Sequence, residues 1–121
     1  MTDMDNFYNI ISRNVNGDDV EFEIELNKFH DIFKGHFPEE PITPGVCVVK
    51  IALELASIAF CKKFQIKSAK NIKFLNIISP LENPVVCFRI HRESANNDSS
   101  MLTIVVFHDD MVFVKIKMEV C

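Results

Sequence analysis

The stretch from Gly35 to Gly45 reads GHFPEEPITPG, and it gathers a histidine, three of the five prolines and two of the three glycines. Pro38, Pro41 and Pro44 recur at every third position. Each fixes φ near about −65° and removes a backbone donor. Together they favour an extended, stiff course and disfavour helix. Gly45 permits a close backbone approach. The apolar run VCVVKIALELASIAF begins directly after this glycine. Its length and its alanines, Ala52, Ala56 and Ala59, predict a helix over 46–62. Thr43 is the expected N-cap, and Pro44 suits the first turn. A helix start exposes free N–H groups and a positive dipole end. His36 is thus expected on a rigid loop beside a terminus that can hold an anion or polarise a carbonyl oxygen.

A second pattern lies on the helix itself. Lys50, Glu54, Ser57 and Cys61 succeed one another at intervals of four, three and four. Those intervals put them on one face. Pattern alone favours a solvent-facing stripe, with Lys50 and Glu54 as a pair worth a few tenths of a kcal/mol. The loop that leads into the helix points the other way, to a stripe lining a cleft.

The elements that would position these residues are strands. Residues 7–12 and 20–26, on either side of the turn signal NVNGDD, predict a hairpin. VEFEIEL alternates apolar and acidic residues with the period of a half-buried strand. Further strands are expected over 69–78, 84–92, 101–108 and 111–120. Asp109-Asp110 makes a tight turn between the last two, and ESANNDSS over 93–100 a surface loop. Strands segregated from one long helix give an α+β domain with an antiparallel sheet. A helix apolar nearly all round must be buried nearly all round. Either the sheet curls around it or a second subunit covers the remainder.

With 121 residues, one domain over 1–121 is expected, large enough for a real core. The eleven phenylalanines predict a Phe-rich core. Seventeen acids against thirteen bases give −4, which argues against a broad nucleic-acid surface. The cysteines, Cys47, Cys61, Cys87 and Cys121, are widely spaced and predict neither zinc nor a disulfide framework. The apolar run after Gly45 is short of the ~20 residues of a membrane span. MTDMDNFYN has no apolar signal region. Cytoplasmic residence, no membrane span and no nucleic acid are the expectations.

Gly35-His36-Phe37-Pro38, Pro41 and Pro44-Gly45-Val46 resemble the signature of the hot-dog-fold 3-hydroxyacyl-[acyl-carrier-protein] dehydratases. NIKFLNIISP, Asn71 to Pro80, is similar to the strand after the helix in that family. The resemblance covers most of the chain. It implies an antiparallel sheet wrapped around the helix, and paired protomers with the site at their interface. It implies no cofactor. The substrate would be a 3-hydroxyacyl thioester on acyl carrier protein, dehydrated to a trans-2-enoyl thioester in fatty-acid or related synthesis. His36 matches the histidine that removes the α-proton. Gly45 matches the glycine whose N–H polarises the thioester carbonyl. Val46, Phe37 and Ile42 join it as substrate-contacting candidates.

The family's second catalytic residue is Glu or Asp, five positions after this glycine. Here that position is Lys50. An ammonium, with an ordinary pKa of ~10.4, is a poor proton donor near neutrality, and burial would make it a better one. Lys50 is therefore either an acid in a desolvated site or a hydrogen-bonding partner of the leaving hydroxyl. Glu54 offers a carboxyl group on the same face, about 6 Å further along the axis. The remaining readings are a non-catalytic acyl-binding or partner subunit and, more weakly, a hot-dog thioesterase that uses Glu54.

His30, His91 and His108 are expected to be structural or solvent-facing, and Cys47 to pack rather than react. Glu39 and Glu40 are expected either to be simply exposed or to face a basic partner. Lys34, Lys62, Lys63, Lys67 and Lys70 are the candidates for docking an acidic carrier protein.

Overall fold

The computed structural model describes residues 5–34, 41–95 and 99–121. His36, Phe37, Glu39 and Glu40 lie outside the described residues, as does the middle of ESANNDSS. The elements are β1 (Tyr8–Asn16), β2 (Asp19–Leu26), α1 (Asp31–Lys34), α2 (Gly45–Ala59), β3 (Ile66–Phe74), β4 (Val85–Ala95), β5 (Ser100–His108) and β6 (Met111–Val120). All six strands join one sheet in the order β1-β2-β4-β5-β6-β3, and every neighbouring pair is antiparallel. Tyr8–Asn16 and Ile66–Phe74 are therefore its edges.

The alternation in β2 does what its period dictates. Val20, Phe22, Ile24 and Leu26 are buried, while Asp19, Glu21, Glu23 and Glu25 fall on the other face. α2 lays Cys47, Val48, Ile51, Ala52, Leu55 and Ala56 against the sheet's inner face. Among the described residues, six phenylalanines, Phe7, Phe22, Phe33, Phe64, Phe88 and Phe113, are buried in that core. Complete burial of a side chain such as Leu55 stabilises by about 1.5–3 kcal/mol, so the helix is held mainly by this one face.

Several boundaries depart from the sequence reading, each for a local reason. β1 runs through the expected turn to Asn16, because Asn16 still pairs with Asp19. Only Gly17, at φ +63°, and Asp18 make the turn. α2 stops at Ala59, short of Lys62. Cys61 takes φ 52°, its N–H bonds Ile58 O, and the Lys62 N–H reaches back to Ser57 O. That is a Schellman closure with cysteine in the place usually taken by glycine. β3 begins at Ile66 because Gln65 and Cys121 already exchange both backbone bonds at 2.9 Å. It ends at Phe74, before the expected Ile78, because the N–H groups of Leu75 and Asn76 both turn to Phe113 O and break the ladder. β4 extends to Ala95, into the segment read as loop.

The short helix α1 had no sequence signal of its own. His30 caps it: its Nδ1 accepts from the Ile32 N–H at 3.1 Å, and its Nε2 lies 2.9 Å from Asp5 O. One neutral tautomer, protonated at Nε2, serves both contacts. Phe33 stacks on Phe7, which is fully buried.

Candidate active site

The chain enters α2 along an anchored path. Pro41 is buried, and the Thr43 N–H bonds Ile78 O at 2.9 Å. Thr43 is not the cap. Pro44 occupies the N-cap position, extended at φ −62° and ψ 142°, and no side chain among the described residues caps the helix. The Thr43 hydroxyl is instead buried and has no hydrogen-bond partner among the described residues. The Cys47 N–H is the first to turn back, to Pro44 O at 3.0 Å. The N–H groups of Gly45 and Val46 precede that closure and belong to the open first turn of the helix.

A cleft of about 320 Å³ opens at this terminus, lined by Ile42, Gly45, Val48, Phe74, Ile77 and Ile78 among others. Its walls are mostly aliphatic and aromatic. What Gly45 supplies here is space, not φ. A Cβ on it would stand 2.8 Å from two atoms of the Phe74 ring. Phe74 was not singled out by sequence. Its place at the last rung of β3, opposite Val114, brings its ring onto the helix start. The structure thus brings Gly45, Ile42 and the start of α2 to one apolar cleft.

The polar stripe divides. Lys50 is half-buried, and its charge is felt at the neighbouring Cys47 thiol. Glu54 is exposed, and its Oε1 accepts from the Tyr8 hydroxyl at 2.7 Å. Burial first, and then Glu54, push the Tyr8 phenol well above its ordinary value. Tyr8 and Glu54 border a second, open groove with Leu53, Ser57, Ile58 and Phe64. Ser57 Oγ donates to Leu53 O at 2.9 Å and accepts from the Phe64 N–H at 3.1 Å. Ser57 is therefore a fastening for the turn after the helix, and Cys61 lies in that turn. The four residues share a face, but their surroundings differ from one end to the other.

His30 is the structural cap of α1. His91 pairs with Asp19 and His108 lies 3.5 Å from Asp109, both on the surface. Cys47 is buried, and that burial raises its thiol while Lys50 opposes the shift. Packing, rather than reactivity, is its state. All four cysteines are free. Of the docking candidates, Lys34 pairs with Asp31, Lys67 and Lys70 with Glu119, and Lys62 lies over Phe64. Among the described residues no helix is long and apolar enough to cross a membrane.

A family model described as ApeI-like, ApeI dehydratase, matches residues 12–110. The chain is similar to the 3-hydroxyacyl-[acyl-carrier-protein] dehydratase FabZ of Rickettsia felis, 31% identical over 96 residues, or 64% of this chain and 66% of that protein. FabZ of Lactiplantibacillus plantarum is 33% identical over 79 residues, 60% of this chain and 51% of that one. The alignments thus span from about half to just under two thirds of these relatives' lengths. Among solved structures, the dehydratase heterocomplex ApeI:P from Xenorhabdus doucetiae superposes with a TM-score of 0.76 at 21% identity, over 93% of this chain and 96% of that one. A thioesterase from Haemophilus influenzae superposes at 0.67 and 10% identity, over 97% and 79%. At such identities the likeness shows the fold, a hot-dog fold of six curled strands around a helix.

Proposed function

This chain belongs to the ApeI-like dehydratase family, and from that premise we propose that it removes water from 3-hydroxyacyl thioesters carried on acyl carrier protein. The product is the trans-2-enoyl thioester. His36 takes the α-proton. Charge then builds on the thioester oxygen, and the N–H groups of Gly45 and Val46 stabilise it. The C–O bond to the β-hydroxyl breaks, a double bond forms, and water leaves with one added proton. The proton gained by His36 balances the one gained by the hydroxyl. Lys50 donates to the departing oxygen. Glu54 is the weaker candidate for that task, because its carboxylate is already engaged by Tyr8 and it lies one turn further on. Phe37 and Ile42 contact the acyl part.

The observation that carries this reading is the uncapped start of α2 opening into an apolar cleft. Val46, Phe74, Leu75 and Ile77 are exposed around it, and in this reading a second protomer covers them. The protein is then a dimer or a larger assembly of the cytoplasm. A second reading is favoured by Lys50 itself. In it the chain is a subunit that binds thioesters or a catalytic partner without turnover.

The test is hydration of a short enoyl thioester, monitored by absorbance, for wild type, His36→Ala and Lys50→Glu together. The dehydratase reading expects wild-type turnover that falls at least ~10²-fold in His36→Ala. An unchanged rate in His36→Ala sinks it. A silent wild type with activity in Lys50→Glu supports the subunit reading.

A further inference from the structure

The cleft at the start of α2 is walled mainly by apolar side chains, among them Ile42, Val48, Ile78 and Val114. Two residues with polar side chains border it, Asn76 and Thr43. Asn76 is committed, because its Nδ2 donates to Val112 O at 2.8 Å. Thr43 is not. The residue is 6% exposed, and its Oγ1 has no hydrogen-bond partner among the described residues. Its backbone is nevertheless fixed. The Thr43 N–H donates to Ile78 O at 2.9 Å, and the next residue, Pro44, is extended at the helix cap.

A buried hydroxyl without a partner costs free energy. Valine has the same branched shape and would complete an apolar wall without that cost. Capping does not account for the hydroxyl either. Pro44 holds the cap position, and its carbonyl receives the N–H groups of Cys47 and Val48 at 3.0 and 3.2 Å. The neighbouring groups indicate what a partner would be. Two residues further on, the open first turn presents N–H groups, which are donors only. A ligand atom that satisfies them is an acceptor, so a hydroxyl beside them would meet an oxygen and donate to it. One step of about 120° about χ1 exchanges the hydroxyl and the methyl group of threonine. A hydroxyl covered in the free protein can therefore be turned to the cleft without moving the pinned backbone.

We propose that Thr43 is a third donor of this site, and that its hydroxyl binds the thioester oxygen together with the N–H groups of Gly45 and Val46. The inference rests on the dehydratase reading for the identity of the ligand. In a dry, apolar cleft such a bond strengthens as charge builds on the oxygen. A second protomer over Phe74 and Ile77 would dry the cleft further. Thr43 is buried within its own chain and does not depend on that cover.

The test compares wild type with Thr43→Val and Thr43→Ser. Binding of butyryl-coenzyme A, a saturated thioester that neither gains nor loses water, is read by calorimetry. S-butyl-coenzyme A, its thioether analogue with a methylene in place of the carbonyl, is read in parallel. Thr43→Val is expected to weaken thioester binding about tenfold and to leave thioether binding unchanged. Thr43→Ser should restore most of the thioester affinity. Hydration of the short enoyl thioester should fall ~10-fold or more in Thr43→Val. The urea midpoint of Thr43→Val should rise, because the partnerless hydroxyl is gone. A midpoint that falls overturns the proposal, since the hydroxyl then has a structural partner. So does an equal effect on both ligands, which would make Thr43 part of the wall only. A wild type that binds neither ligand also overturns it. If wild type hydrates no enoyl thioester while thioester binding still depends on the hydroxyl, the third donor stands and the dehydratase reading falls.

Discussion

The two ends of α2 are built on opposite principles. At its C-terminal end every loose group is taken up. Phe60, Cys61 and Lys62 donate back to the helix, Ser57 bridges Leu53 and the Phe64 N–H, and Glu54 is held by Tyr8. At its N-terminal end the cap is a proline with no donor to give, and among the described residues no side chain supplies the missing acceptor. The Thr43 hydroxyl, only 6% exposed as a residue, is left without a partner among the described residues. An N–H pair left without an acceptor among the described residues, beside an apolar cleft, is a poor way to stabilise a helix. It is a good way to receive a polarised oxygen. The difference separates the end that is fastened to hold the helix from the end that the proposed function would use.

The sharpest way to break the comparison is Gly45→Ala. The new methyl meets the Phe74 ring, so the ring must leave the helix start. Turnover is expected to fall by up to ~10²-fold, because the new methyl and the displaced ring crowd the oxygen site beside N–H groups that remain, while stability falls by less than about 1 kcal/mol, since the Phe74 ring is 56% exposed and can swing aside. In a Phe74→Ala background the same change should be neutral or stabilising, because alanine is the better helix former. Thermal or urea unfolding of the four proteins reads that coupling.

The C-terminal end predicts a different outcome. Ser57→Ala leaves the Phe64 N–H without its acceptor and should cost about 1–2 kcal/mol in urea unfolding. Turnover per folded molecule should not change. A Ser57→Ala protein that is fully stable but inactive would mean that this end also does chemistry.

The smallest effect concerns pH. Tyr8 is the only tyrosine in the chain, so phenolate absorbance reports it alone. Burial and Glu54 raise its pKa in the folded state. The stability that this contributes is fully present below the ordinary phenol value near ~10. It is lost as pH rises above that value, because only the unfolded chain ionises readily. The absorbance midpoint is expected to stay well above ~10 until the protein unfolds. In Glu54→Gln it should move part of the way down and no further, because burial is the larger cause.

The sequence made much of this visible, and where it failed the reasons are physical. Met111–Val120 is bounded as expected, because alternation and a two-residue aspartate turn are local signals. The layout of two strands, a helix and four strands came from period and composition. The Phe74–Gly45 contact was hidden, since it joins residues that meet only after β3 pairs with β6. The Tyr8–Glu54 bond spans 46 residues and left no trace in the helix pattern. Thr43 was misjudged because a good capping residue in the right place was overruled by Ile78, which holds its backbone one residue short of the cap. His36, the residue on which the functional reading most depends, was legible only as part of a motif.

The first strand has a consequence for motion. β1 pairs with β2 alone, its ladder is interrupted between Ile10 and Ser12, and nearly all of its side chains face solvent. Its root is another matter: Phe7 is fully buried, its carbonyl receives the Asn27 N–H, and the Asn27 side chain bonds Asn6 O. Amide hydrogen exchange should therefore be graded along a single strand, fast toward Asn16 and slow near Phe7, with the outer part opening well below the free energy of global unfolding. Tyr8 stands on the slow side of that gradient. Fraying of β1 can come and go without releasing Glu54, whereas the bond from Arg13 Nη2 to Ala59 O at 3.4 Å, on the fast side of the gradient, opens with it.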